Sequence, residues 1–92
     1  MKYVNDLKDL TEKLTLVDFF ATWCGPCKML SPILEGYKSK IKVIKVDVDD
    51  FDDLAREYGV MSIPTLVLIE NGKEVKRNIG LIHEDGLEIF LD

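Results

Sequence analysis

Cysteine, histidine and long apolar runs are all scarce in this chain. Two cysteines in 92 residues are too few to staple a small secreted fold, and in a reducing compartment such a pair persists for catalysis, redox sensing or metal binding. The one histidine, His83, added to two cysteines cannot close a four-ligand structural zinc site without a second copy or carboxylates. Covalent haem attachment needs histidine directly after the second cysteine, and Lys28 stands there. No stretch approaches the roughly 20 apolar residues that cross a bilayer; the longest, 61–69, contains Pro64. Excess positive charge is missing too: 12 Lys and Arg face 17 Asp and Glu, a net of −5, so nucleic acid and anionic membrane are poor partners. Met1 to Asp6 reach a carboxylate before any apolar run of signal-peptide length, which makes the cytoplasm the expected compartment. What is present suffices for one core. At 47% hydrophobic and 32% charged, the chain is expected to pack as a single domain over residues 1–92.

The patterning predicts an α/β order. A rudimentary strand at about 2–4 and a helix from Asn5 or Asp6 to Lys13, with Leu7, Leu10 and Leu14 as its stripe, come first. Residues 16–21 are apolar on both faces apart from Asp18, as in a central strand covered on both sides. Cys27, Leu30, Ile33, Leu34 and Tyr37 recur at helical spacing, and Pro26 has the fixed φ of a first helical turn. The helix therefore opens inside the cysteine pair, and Pro32 should kink it without ending it. A β-branched strand at 41–48 completes a βαβ unit. Phe51, Leu54, Ala55 and Tyr58 mark a short helix ending at Gly59. Strands at 65–69 and 75–79 flank Asn71-Gly72, a tight hairpin turn. The second is charged enough to be a guarded edge. A last helix at 84–91, with Leu87, Phe90 and Leu91 inward, is weakened by Gly86. The expected fold is a mixed sheet of four to five strands, βαβ then ββα, with helices on both faces.

A cysteine at the N-terminal edge of a helix meets unpaired amides and the positive end of the dipole, both of which favour thiolate. Cys24 is thus the expected nucleophile. Cys27, one turn deeper on the same side, is the expected resolving thiol, more buried and slower to lose its proton. Cys24 attacks a target disulfide, a mixed disulfide forms, and Cys27 displaces the reduced target by closing the Cys24–Cys27 bond. No cofactor is needed, because the two electrons pass between sulfurs. Gly25 and Pro26 place no charge beside them, so the dithiol should act as a reductant. Asp18 within its apolar strand is either a buried acid of raised pKa fit for proton transfer, or a residue that strand twist brings to solvent. The acids at 47, 49, 50, 52 and 53 lack the glycine and the final glutamate of an EF-hand loop. They read as acid at a helix start, and His83 as a cap or surface residue.

Residues 17–28, Val-Asp-Phe-Phe-Ala-Thr-Trp-Cys-Gly-Pro-Cys-Lys, with Ile63-Pro64-Thr65, Asn71-Gly72 and Gly80, resemble the thioredoxin family over essentially the whole chain. The resemblance implies a small protein-disulfide reductase, monomeric, fed by a thioredoxin reductase and acting on disulfide-containing proteins. It implies that Asp18 is a buried general base for Cys27 acting through water, with Lys45 beside it, where the residues alone also allow an outward-facing lysine. It further implies a cis bond before Pro64, Ile63 pairing with an extended target segment, and an uncharged docking patch of Trp23, Gly25, Pro26, Ile63, Pro64, Gly80 and Leu81. Phe20 stands where the family often has tryptophan. A glutaredoxin-like reductase with another donor, or a binding subunit with dispensable thiols, would fit the same pattern.

Overall fold

Seven elements follow one another in the computed structural model, which describes residues 14–92: β1 (Thr15–Phe20), α1 (Gly25–Glu35), β2 (Lys42–Asp47), α2 (Asp52–Glu57), β3 (Thr65–Glu70), β4 (Lys73–Ile79) and α3 (Glu84–Leu91). The strand expected at 2–4 and the helix at about 5–13 lie outside the described residues. Among those described, four strands pair in the order β2-β1-β3-β4. β1 runs parallel to β2 and antiparallel to β3, and β3 is antiparallel to β4. The parallel pair is joined through α1, as a crossover connection requires.

Strand alternation divides the core. Val17, Phe19, Ile44, Val46, Val67 and Ile69 pack with Leu54 and Ala55 of α2 on one face. Leu16, Val43, Leu66 and Leu68 pack with Leu30 and Leu34 of α1 and Leu87 of α3 on the other. Every residue of β1 is buried, the reason its sequence shows no polar face. Period-2 alternation puts Asp18 on the α1 side with Leu16. It pairs in register with Lys45 of β2 and Leu66 of β3.

Two local devices set the loops around the site. Asp47 is buried; its Oδ1 accepts the amide of Asp49 at 2.9 Å and its carbonyl accepts the amides of Asp50 and Phe51, so its carboxylate orders a turn. Only Asp52 and Asp53 lie in the first turn of α2, where both pair with Arg56. The expectation that the whole acidic run serves a helix start is therefore corrected, because the turn intervenes before α2 begins. At the other end of α2, Val60 N–H donates to the Ala55 carbonyl at 2.8 Å and Gly59 N–H to that of Arg56 at 3.0 Å, with Gly59 at φ +64°. This is a Schellman motif. It aims the chain into the loop that precedes β3.

Candidate active site

The site is built where β1 hands the chain to α1. Cys24 is the N-cap of α1, with extended backbone, and its Sγ accepts the N–H of Cys27 at 3.2 Å. Pro26 occupies the first turn, where a missing N–H leaves no bond unmade. The three-residue step brings the Cα atoms of Cys24 and Cys27 to 5.2 Å, and the two form a disulfide. The expected contrast in burial is slight: Cys24 is 5% exposed and Cys27 3%. Surroundings distinguish them instead. The Cys24 sulfur holds the helix amide and lies 3.9 Å from the carbonyl oxygen of Ile63. Cys27 lines a cleft of about 300 Å³ with Phe20, Ala21, Thr22, Lys28, Ser31 and Lys45.

The Ile63–Pro64 bond is cis. Around it the loop is tied on both sides: Thr65 Oγ1 donates to the Ser62 carbonyl at 2.7 Å, and Gly80 N–H donates to the Pro64 carbonyl at 2.8 Å. Gly80 has φ +95°, a conformation that costs a side-chain-bearing residue roughly 1–2 kcal/mol. Asn78 Nδ2 holds the Gly80 carbonyl at 3.1 Å. Trp23 is 68% exposed, and its Nε1 donates to Asp49 Oδ2 at 2.8 Å across the mouth of the site. Gly25 and Pro26 are exposed, and Ile63 and Gly80 half-buried. Of the expected docking residues, Ile63 is thus brought to Cys24 and Gly80 to Pro64. Leu81 packs against the core cluster of α1 and α3. Asp49 was not singled out for this site from the sequence, since the turn that presents it to Trp23 depends on the buried carboxylate of Asp47.

Asp18 is fully buried, so the solvent-reaching alternative is excluded. Neither carboxylate oxygen receives a hydrogen bond. Burial pushes its pKa up to about 6, opposed by the nearby Lys45 charge. Lys45 is half-buried, not outward-facing. Its ammonium lies over the Phe20 ring, 4.3 Å from the centroid, and donates to Ser31 Oγ at 3.5 Å. Ser31 is a second residue the sequence reading passed over. The available signal was its position one turn after Cys27, at i+4 on the same helix face.

A sulfur pair at a helix N-terminus, with a buried acid on the strand that leads into it and the Ile63 carbonyl beside Cys24, has the parts needed for thiol–disulfide exchange. Comparison with known proteins agrees. The Thioredoxin family model matches residues 1–92. The chain is similar to thioredoxin of Chlamydia trachomatis, 46% identical over 86 residues covering 90% of this chain and 84% of that protein. It is 42% identical to thioredoxin of Bacillus subtilis over 84 residues, 87% and 81% of the two chains. Among solved structures, a mutant thioredoxin from Halobacterium salinarum superposes with TM-score 0.87 at 42% identity, covering 96% of this chain and 84% of that one. Fasciola hepatica thioredoxin gives 0.86 at 36%, covering 99% and 96%.

Proposed function

The chain belongs to the thioredoxin family, a thiol–disulfide oxidoreductase working on protein disulfides, and we propose the following roles and partners for it. Cys24 is the nucleophile and Cys27 the resolving thiol. The observation that carries this assignment is the Cys24 sulfur at the N-cap of α1, accepting the Cys27 amide at 3.2 Å. The same amide and the helix dipole stabilise a thiolate there. That thiolate attacks one sulfur of the target disulfide, forming a Cys24–target bond and releasing the other target sulfur as thiolate. Cys27 then loses its proton to Asp18 through a water in the cleft, attacks Cys24 Sγ, and expels the second target sulfur. The target gains two electrons, and the protein is left with the Cys24–Cys27 disulfide.

Asp18 is suited to the base role because a carboxyl titrating near 6 exchanges protons close to neutral pH. Lys45 is its charge partner. Trp23, Ile63, Pro64 and Gly80 receive an extended target segment, with the Ile63 backbone pairing to it as an added strand. Gly25 and Pro26 add no charge of their own beside the sulfurs. The donor that restores the dithiol is a thioredoxin reductase; the working form is a monomer and the compartment the cytoplasm. The test is insulin reduction with dithiothreitol, followed as turbidity. The protein accelerates it, Cys24→Ser abolishes the acceleration, and Cys27→Ser accumulates mixed disulfides. Full acceleration by Cys24→Ser would refute the assignment.

A further inference from the structure

The Lys45 ammonium sits beside two unlike partners, neither of them the buried carboxylate paired with it in register. On one side is the Phe20 ring, with Nζ 4.3 Å from its centroid; on the other is Ser31 Oγ at 3.5 Å. Both Asp18 oxygens are left without a hydrogen bond, although Asp18 and Lys45 are neighbours across the β1–β2 ladder. Ser31 lies one turn beyond Cys27 on α1 and lines the same cleft as Cys27, Phe20 and Lys45. A lysine head on a four-carbon stem is mobile, so the groups that engage it decide where it rests.

We propose that Ser31 is a positioning residue: with the Phe20 ring it holds the Lys45 ammonium in the cleft beside Cys27 and off the Asp18 carboxylate. This rests on the reading of Asp18 as the base for Cys27, and it says how that base is kept able to accept a proton. A direct ion pair would favour the charged carboxylate and pull its titration down further than the nearby Lys45 charge already does, an adjacent cation being worth typically about one to three pH units. Held off, the ammonium only moderates the effect of burial. The other groups around Asp18 leave this balance to Lys45. β3 offers Leu66 in register, without charge. From α1 come Cys27 and the exposed Lys28. Asp47, two residues beyond Lys45 on β2, has its carboxylate engaged by the Asp49 amide, and Glu84, Asp85 and Glu88 of α3 are exposed.

The test titrates the Asp18 carboxyl carbon by NMR in the oxidised protein, where neither cysteine ionises and the carboxyl is read alone. Ser31→Ala frees the ammonium to reach Asp18, and the midpoint should fall by about one pH unit or more. Ser31→Thr keeps the hydroxyl and should leave the midpoint in place. Alanine is the better helix former, so the variant retains the fold. A midpoint that stays put or rises in Ser31→Ala overturns the proposal, as does an equal fall in Ser31→Thr. The pH profile of mixed-disulfide resolution, measured on the same variants, separates the two readings. If the carboxyl titration falls while that profile stays fixed, the Ser31 assignment stands and the base role of Asp18 does not.

Discussion

At the scale of single residues, the feature that stands out beside the cysteine pair is one carboxylate placed where a carboxylate is costly. Asp18 titrates near 6 in the fold, against an ordinary value of 3.8. Its contribution to stability is therefore fully present below about pH 4 and is lost as pH rises through about 6. Above that, the native state carries a burial penalty of roughly 3 kcal/mol, treating the whole shift as linkage. Urea unfolding should then show Asp18→Asn gaining on the parent by up to roughly that amount between pH 4 and pH 8. A difference that does not change with pH would contradict this. In the same variant, resolution of a mixed disulfide at pH 7 should slow by roughly 100-fold, the lower end of what a positioned general base supplies. The cysteine pair and the carboxylate were legible in the sequence because their residue types are unusual for their places, whereas Pro64 was legible only through the family resemblance. The residue pattern left the burial of Asp18 open, since a strand's alternation does not show how far twist carries an end toward solvent, and the resemblance pointed to it. The Trp23–Asp49 bond spans 26 residues and depends on a turn that Asp47 makes, so no local pattern announced it.

At the scale of elements, the helix and strand boundaries were readable wherever periodicity and punctuation agreed. α3 lies at 84–91 as expected, β3 and β4 meet at Asn71 and Gly72 with φ of 50° and 83°, and α2 ends ahead of Gly59. The last helix shows what propensity misses. Gly86 reads as a plain weakness, yet a Cβ there would lie 2.9 Å from Cγ1 of Ile82, and Ile82 packs on the core beneath α3. Gly86→Ala should thus fail to deliver the roughly 1 kcal/mol that propensity promises. A gain of that size in thermal unfolding would show that Ile82 yields freely. β4 holds a second such feature. The register steps from Ile69↔Glu74 to Leu68↔Lys76, leaving Val75 as the extra residue of a bulge. The bulge brings Glu74 and Arg77, three apart, to one side, where their ion pair measures 2.6 Å. The Arg77 guanidinium also donates to the Tyr58 carbonyl at 2.6 Å, at the C-cap of α2. Arg77→Ala should cost about 1–2 kcal/mol in denaturant unfolding, discounted for partial exposure. An effect within about 0.5 kcal/mol, the range of an ordinary surface change, would mean that the contact carries no weight.

At the scale of the whole molecule, the sheet serves as a frame that brings distant parts of the chain to one sulfur. β1 delivers Cys24 to a helix start, the end of α2 launches the loop carrying Ile63, and the end of β4 returns Gly80 to bond Pro64. Among the described residues no helix is long and apolar enough to cross a membrane. The mixed sheet with helices on both faces was legible because βαβ and ββα patterns admit few arrangements. Its cleft was not, because Ser31, Lys45 and Phe20 come from three elements and meet only in the fold. All the proposed chemistry depends on a thiolate at position 24. Alkylation of the reduced protein by iodoacetamide, followed against pH with the modified cysteine identified by mass, tests this most directly. Cys24 should react first, with a midpoint well below the roughly 8.5 of a free thiol, while Cys27 stays unmodified over the same range. Equal labelling of both cysteines, or a Cys24 midpoint near the free-thiol value, would contradict the account.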